Sequence, residues 1–256
     1  MQLDNRPAHD FNTRGVFITA TDTGVGKTLV ASALVSRLIR CGIDVGVMKP
    51  IETGVSRLTK GESDGVRLRQ AAKTHDPIRE VCPYVFRLPV APLSAARAEG
   101  TVVRLSTIMR AFRALHKKHA LLVVEGIGGV RVPITGTADV LDLVQRMRLP
   151  VIVVGQSGLG GVNHALLTLC ALRQKKIPIV ALVLNQVRPP RVKIAQAQEQ
   201  STVILLRRLA KVPVLGPLSY RTNLHRDWSR SLIQLAGAVE IRKLAELVLA
   251  SARGIP

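Results

Sequence analysis

Ala20-Thr-Asp-Thr-Gly-Val-Gly-Lys-Thr28 joins a short apolar run, residues 16–20, to residues 27–40, where Leu29, Leu34, Val35 and Leu38 recur at helical spacing. Glycines in such a junction let backbone N–H groups converge on phosphate oxygens, and the helix N-terminus behind them adds partial positive charge. Lys27 has the reach for the outer phosphates of a nucleotide, and the Thr28 hydroxyl can ligate Mg2+. The strict pattern G-x-x-x-x-G-K-[ST] breaks at its first position, where Thr21 stands. Placement between a strand and a helix restores most of the lost specificity. An ordinary helix start is the plainer alternative, and a Lys-Thr pair after spaced glycines weighs against it.

Outward from this loop, strand-like and helix-like stretches alternate. Apolar runs at residues 44–49, 121–125, 151–155, 177–185 and 212–216 read as strands. Residues 139–147, 160–173, 192–209 and 231–250 read as helices, the last a single closing helix. The run at 121–125 is expected to end in a glycine turn. Continuous apolar strands separated by amphipathic helices predict an α/β fold with a mostly parallel sheet and helices on both faces. Ligands of such sheets bind at the carboxyl ends of the strands, where the glycine and polar clusters of this chain fall. No composition break asks for a second domain, so one domain is expected over residues 15–256. Residues 1–14, polar and carrying Asp4 and Asp10, read as a disordered tail and not as a secretory or transit segment.

Nearly half of the 256 residues are hydrophobic, enough for a sizeable core, yet no apolar run approaches bilayer-spanning length. Cys41, Cys82 and Cys170 are widely spaced and form neither a disulfide framework nor a zinc motif, so reduced thiols in a cytoplasm are expected. The charge is unusual: 37 Lys and Arg against 17 Asp and Glu give +20. Such a field attracts polyanions, which makes nucleic acid a partner to consider. The cations are scattered, however, from Arg37 and Lys60 to Arg146, Arg207 and Lys243, and aromatics for base stacking are only 3%. Neither a specific nucleic acid nor a membrane is expected as partner.

The loop resembles that of the dethiobiotin synthetases, which reads GTDTxVGKT, and the resemblance continues in order along the chain. Met48-Lys-Pro-Ile-Glu-Thr-Gly54 is similar to the family's KPxxTG segment, and Glu62-Ser-Asp64 to its SD element. Pro83-Tyr-Val-Phe86 with Ala91-Pro92, Val124-Glu-Gly-Ile-Gly-Gly129, and Gly158-Leu-Gly-Gly-Val-Asn-His164 resemble three further family segments. Asn185 also has a counterpart. Ala20, Ile127 and Ser219 depart from the family's usual residues. The resemblance implies a P-loop NTPase-like domain, cytoplasmic and commonly homodimeric, which uses ATP and Mg2+.

It also implies roles for residues. Thr23, Gly24, Val25, Gly26, Lys27, Thr28 and Asn185 would bind ATP. Thr28, Asp64 and Glu125 would be the Mg2+ ligands, three oxygen donors of the kind an octahedral site takes. On residue grounds alone Asp64 is equally a first-turn helix acid, whereas Glu125 closes an apolar strand and needs a partner. Lys49 would neutralise charge on the transferring phosphoryl group, against the alternative of a solvated strand-end lysine. Thr53 would hydrogen-bond substrate or phosphate, and Lys27, Lys49 and Thr53 would form the catalytic set. Gly160, Gly161, Val162 and Asn163 open a helix whose free N–H groups suit a substrate carboxylate, although a tight turn explains them too. Asp22 is read as stiffening the loop, Arg131 as facing an anion or solvent, and His164 as a packed helix residue.

The implied reaction is ATP-dependent ring closure of 7,8-diaminopelargonate with CO2, giving dethiobiotin, ADP and phosphate in biotin biosynthesis. It needs positioning and charge neutralisation, not a nucleophilic side chain. A cobyrinic-acid-type amide synthetase would need a glutaminase domain, for which no residues are left over. A partition- or positioning-type ATPase loading onto DNA or membrane would account for the charge. It carries an additional lysine near the start of its loop, and residues 20–25 contain none. An amphipathic membrane helix at 231–250 is set against core packing of the same residues, the plainer reading.

Overall fold

The computed structural model describes residues 14–56, 63–222 and 227–252. The expected tail over residues 1–14 lies outside them except for Arg14, whose carbonyl accepts from Leu122 N at 3.1 Å as part of the sheet ladder. Strand β1 (Gly15–Ala20) is buried at every position and feeds helix α1 (Lys27–Arg40). Strand β2 (Val45–Met48) stops one residue before Lys49. There follow β3 (Ile51–Thr53), α2 (Asp64–Ala72), α3 (Ile78–Val81), β4 (Tyr84–Phe86), α4 (Pro92–Ala98) and α5 (Leu105–Lys118). The second half alternates β5 (Leu121–Gly129), α6 (Val140–Met147), β6 (Val151–Gln156), α7 (Gly161–Gln174), β7 (Ile179–Asn185) and α8 (Lys193–Leu209). It closes with β8 (Val214–Leu218), α9 (Trp228–Ala236) and α10 (Val239–Ala252).

Six strands make one sheet in the order β2-β5-β1-β6-β7-β8, and every neighbouring pair is parallel. Parallel neighbours need crossovers, and the helices supply them, which leaves both faces of the sheet covered. Period-two alternation along β1 divides the core: Val16, Ile18 and Ala20 pack on one side with Leu34, Leu38 and Leu244, while Phe17 faces Met48, Leu122 and Leu169 on the other. Each such fully enclosed side chain contributes about 2 kcal/mol. Because β1 lies between β5 and β6, its carboxyl end opens at the centre of the sheet, where the connections diverge to either side.

Three features differ from expectation. The closing helix is two helices: Gly237 and Ala238 separate α9 from α10, and each segment buries its own stripe, Leu232 and Leu235 in one, Ile241, Leu244 and Val248 in the other. Both pack against α1, which is the core role read for these residues. Strand β5 does not turn after Glu125 but continues to Gly129, its register with β1 shifting so that Ala20 opposes Gly129. The stretch between β2 and β5, little of which was assigned from sequence, holds four helices among its described residues and a separate parallel pair, β3 with β4.

Candidate active site

The loop between β1 and α1 is held open by its own backbone. Gly26 precedes α1 with φ 100 and offers no side-chain cap, so the first N–H groups of the helix face outward. A Cβ at Gly26 would meet Asn185 Nδ2 at 2.5 Å, in a backbone region L residues rarely adopt. Asn185 is buried beneath the loop and donates from Nδ2 to the Val25 carbonyl at 3.0 Å. Asp22 Oδ1 accepts from Thr23 N at 2.7 Å, the stiffening role read for it. Lys27 folds back over the loop, its Nζ donating to the Asp22 carbonyl at 3.2 Å. Burial first, and then the neighbouring Lys49 charge, push the Lys27 amine down to about 8.

Strand register assembles the charged centre. Met48 of β2 pairs with Val124 of β5, which sets Lys49 beside Glu125 at the carboxyl edge of the sheet. Lys49 Nζ lies 2.6 Å from Glu125 Oε1 and 3.2 Å from Asp64 Oδ2, and donates to the Gly126 carbonyl at 3.1 Å. Thr28 Oγ1 donates to the same Glu125 Oε1 at 2.8 Å. Lys49 is 3% exposed and Glu125 0%, which removes the solvated strand-end reading of the lysine. Burial pulls the Lys49 ammonium down, but Glu125 and Asp64 outweigh it and hold it above its ordinary value. Full burial raises the Glu125 carboxyl despite Lys49. Burial also raises Asp64, yet Lys49 and the Thr28 hydroxyl bring that carboxyl below its ordinary value.

Asp64 is the first residue of α2 and Ser63 its cap, whose hydroxyl accepts from Val66 N at 3.3 Å. Asp64 is therefore a first-turn acid that also reaches the charged centre. Glu125 Oε2 is buried with no hydrogen-bond partner. An orphaned carboxylate oxygen next to a threonine hydroxyl and a second carboxylate is an all-oxygen donor set, which suits Mg2+.

These groups open onto a cavity of about 400 Å3. Thr23, Gly24, Gly26, Lys27 and Thr28 line one side, and Lys49, Thr53, Asp64 and Glu125 the other. Val25 is buried within the loop rather than on the wall. Gly160, Gly161, Val162 and Asn163, at the start of α7, lie off this cavity, and Asn163 is exposed. Arg131 is 74% exposed and paired with Asp139 at 2.8 Å, and His164 is exposed rather than packed. Six lining residues were not assigned to a site from sequence: Leu29, Glu52, Arg67, Ile127, Gly128 and Trp228, Ile127 having been noted only as a departure from the family. Glu52 sits inside a quoted motif, and Arg67 follows Asp64 by three residues on a helix, so both were within reach of spacing arguments. Trp228, whose ring lies 4.7 Å from the Arg67 guanidinium, comes from α9 and carried no such signal.

Among the described residues the cavity wall holds no Cys, His or Ser, the nucleophiles most used in covalent catalysis. What it holds is cations, backbone donors and paired carboxylates, an arrangement for binding polyphosphate and stabilising transferred charge.

A family model described as an AAA domain matches residues 14–227. The ATP-dependent dethiobiotin synthetase BioD of Anaeromyxobacter dehalogenans is 47% identical over 176 residues, 69% of this chain and 78% of that protein. The protein of the same name from Thermodesulfovibrio yellowstonii is 42% identical over 224 residues, 83% of this chain and 91% of its own. That from Bacillus velezensis is 34% identical over 203 residues, with 79% and 85% covered. Among solved structures, the MinC:MinD cell division protein complex of Aquifex aeolicus aligns with a TM-score of 0.56 at 10% identity, covering 93% of this chain and 95% of that one. At that identity the likeness is one of fold alone.

Proposed function

We propose, for a chain that belongs to the ATP-dependent dethiobiotin synthetase family, that the cavity at the carboxyl end of β1 holds Mg-ATP and the carbamate of 7,8-diaminopelargonate for ring closure. The observation that carries this reading is the buried Lys49–Glu125 pair, joined to the phosphate loop through the Thr28 hydroxyl, on the wall of one cavity. In the reaction one amine of the diamine takes up CO2 and loses a proton. A carbamate oxygen attacks the γ-phosphorus of ATP, and the bond to the bridging oxygen of ADP breaks. The second amine then attacks the carbonyl carbon of the mixed anhydride, phosphate leaves, and the ureido ring closes.

Each residue has a part suited to its position. The N–H groups over Gly24 to Thr28 and the Lys27 ammonium grip the outer phosphates, while Asn185 braces the loop through Val25. Lys49, kept protonated by its two carboxylates, lies where it neutralises charge gathering on the γ-phosphoryl oxygens. Thr28, Asp64 and Glu125 would hold Mg2+, which when bound offsets the charge of the triphosphate. Thr53 hydrogen-bonds the substrate. The MinC:MinD complex shares the fold, and the loop of this chain lacks the extra lysine expected of a partition- or positioning-type ATPase.

The helix start at Gly160, Gly161, Val162 and Asn163 lies off the cavity of its own chain, so we assign it to grip the substrate's distal carboxylate from a second copy in a homodimer. Leu159 and Leu167, 74% and 62% exposed, flank this segment and supply an apolar contact. Leu167→Asp is expected to weaken the dimer by about tenfold or more, read by sedimentation. A fully active wild-type monomer across working concentrations would sink the assignment. No helix among the described residues is long and apolar enough to cross a membrane, and Cys41 and Cys170 are exposed free thiols, which suits the cytoplasm.

The test is ADP release in the presence of Mg-ATP. It should require diaminopelargonate and bicarbonate together and yield a product with the mass of the diamine plus CO2 less water. Duplex DNA at physiological salt should leave the rate unchanged, since scattered cations give salt-sensitive binding only. ATP turnover indifferent to the diamine, or switched on by DNA, would overturn the reading.

A further inference from the structure

Among the acids that line the cavity, Glu52 alone has no part in the chemistry above. It stands on β3 between Lys49 and Thr53 and is 4% exposed. A carboxylate so deeply enclosed needs compensation, and all of its hydrogen-bonding partners at the first turn of α2 are donors. Glu52 Oε2 accepts from Ser63 Oγ at 2.7 Å and from Gly65 N at 3.2 Å, and Oε1 accepts from Asp64 N at 2.5 Å. Two of these donors are N–H groups that a helix leaves unpaired at its start, where negative charge is favoured.

Capping alone does not require this arrangement. Ser63 already caps α2, and the same hydroxyl that accepts from Val66 N donates to Glu52. The additional acceptor ties α2 to the strand segment that follows Lys49. One of its bonds falls on the backbone of Asp64 itself, the residue whose Oδ2 lies 3.2 Å from Lys49 Nζ. A shift of the first turn of α2 that carried Asp64 away from Lys49 would also have to break these bonds.

We propose that Glu52 is a positioning residue, fixing the start of α2 so that the Asp64 carboxylate is presented to Mg2+ together with Thr28 and Glu125. This rests on the assignment of Asp64 as a metal ligand, and the experiment separates the two. Mn2+ serves as the probe, its binding to the full chain measured by electron paramagnetic resonance with a non-hydrolysable ATP analogue present. Wild type, E52Q, D64N and the double variant E52Q/D64N are compared, with folding checked by thermal melting. E52Q is expected to weaken Mn2+ binding about tenfold, the range typical of groups that orient a metal ligand. D64N should weaken it at least as much, and the double variant no further, because both changes remove the same contact. Metal-free affinity for the analogue should be the same in E52Q and wild type, a result that a general loosening of the cavity would not give.

Wild-type Mn2+ affinity in E52Q, or losses that multiply in the double variant, would overturn the proposal. Unchanged Mn2+ binding in D64N would remove Asp64 from the metal site, and the role of Glu52 with it. Should E52Q fail to fold, S63A removes one of the three donors that α2 gives Glu52 and is expected to weaken Mn2+ binding measurably, by less than E52Q. An unchanged value there would also overturn the proposal.

Discussion

Lys27→Ala is expected to lower turnover by about three orders of magnitude while leaving the fold intact. The side chain is 7% exposed and, among the described residues, its hydrogen bond runs back to the Asp22 carbonyl, so little of the fold depends on it. Its amine is pushed down to about 8 by burial and then by Lys49, which means that the folded protein disfavours the charge it carries. The sign follows: at neutral pH the protonated lysine costs the folded state roughly 1–3 kcal/mol, and its removal should leave the melting temperature unchanged or raised. A buried charge that opposes folding at this loop fits the nucleotide-binding role proposed for it. The loss should appear in ADP release and in weaker Mg-ATP binding, followed through the emission of Trp228, the chain's single tryptophan, which lines the cavity. Near wild-type turnover in Lys27→Ala would take this residue out of the reaction.

Much of this site is legible in the sequence, for identifiable reasons. Helix α1 runs from Lys27 to Arg40 as read, because its apolar period starts at a glycine junction and ends in a basic turn before Cys41 and Gly42. The long central strands were found because each is an apolar run bounded by turns. Strands β3 and β4, three residues each, are too short for any periodicity to register, so the parallel pair that carries Glu52 and Thr53 was not anticipated. The break at Gly237 was overlooked because α9 and α10 are both amphipathic, and a continuous pattern of buried residues reads as one helix.

Chemical state was harder to read than position. A lysine at the end of an apolar strand is ordinarily solvated, and nothing local to Met48-Lys-Pro50 announces a 3% exposed ammonium. That follows from the pairing of Met48 with Val124 across 76 residues, which sets Lys49 against Glu125. The same holds for the Arg67–Trp228 contact, assembled only when α9 folds back over α1 and α2. The departure at Ile127 also acquires a location: its side chain is part of the cavity wall, where the family's usual residue is small.

Lys49→Met is expected to abolish detectable turnover and, unlike Lys27→Ala, to cost about 3–5 kcal/mol of stability. The two lysines share one cavity but differ in what they hold. Lys49 is the cation between Glu125 and Asp64, and its amine is raised above the ordinary value, so the folded state favours the charge. Removing it leaves Glu125, fully enclosed, with one oxygen held by Thr28 and the other without a partner. Glu125→Gln is the milder change, because Lys49 keeps Asp64 at 3.2 Å and the Gly126 carbonyl at 3.1 Å. The double variant then discriminates between explanations. If the buried pair is the cause, Lys49→Met combined with Glu125→Gln should be more stable than Lys49→Met alone by about 2 kcal/mol, since no uncompensated carboxylate remains at that position. Turnover should stay absent in all three, because each loses the cation proposed to neutralise the γ-phosphoryl group, the acid proposed to ligate the metal, or both. Denaturant melts without Mg2+ supply the stabilities. Additive losses in the double variant would show that Lys49 stabilises the fold through packing of its stem and not through the charge of Glu125.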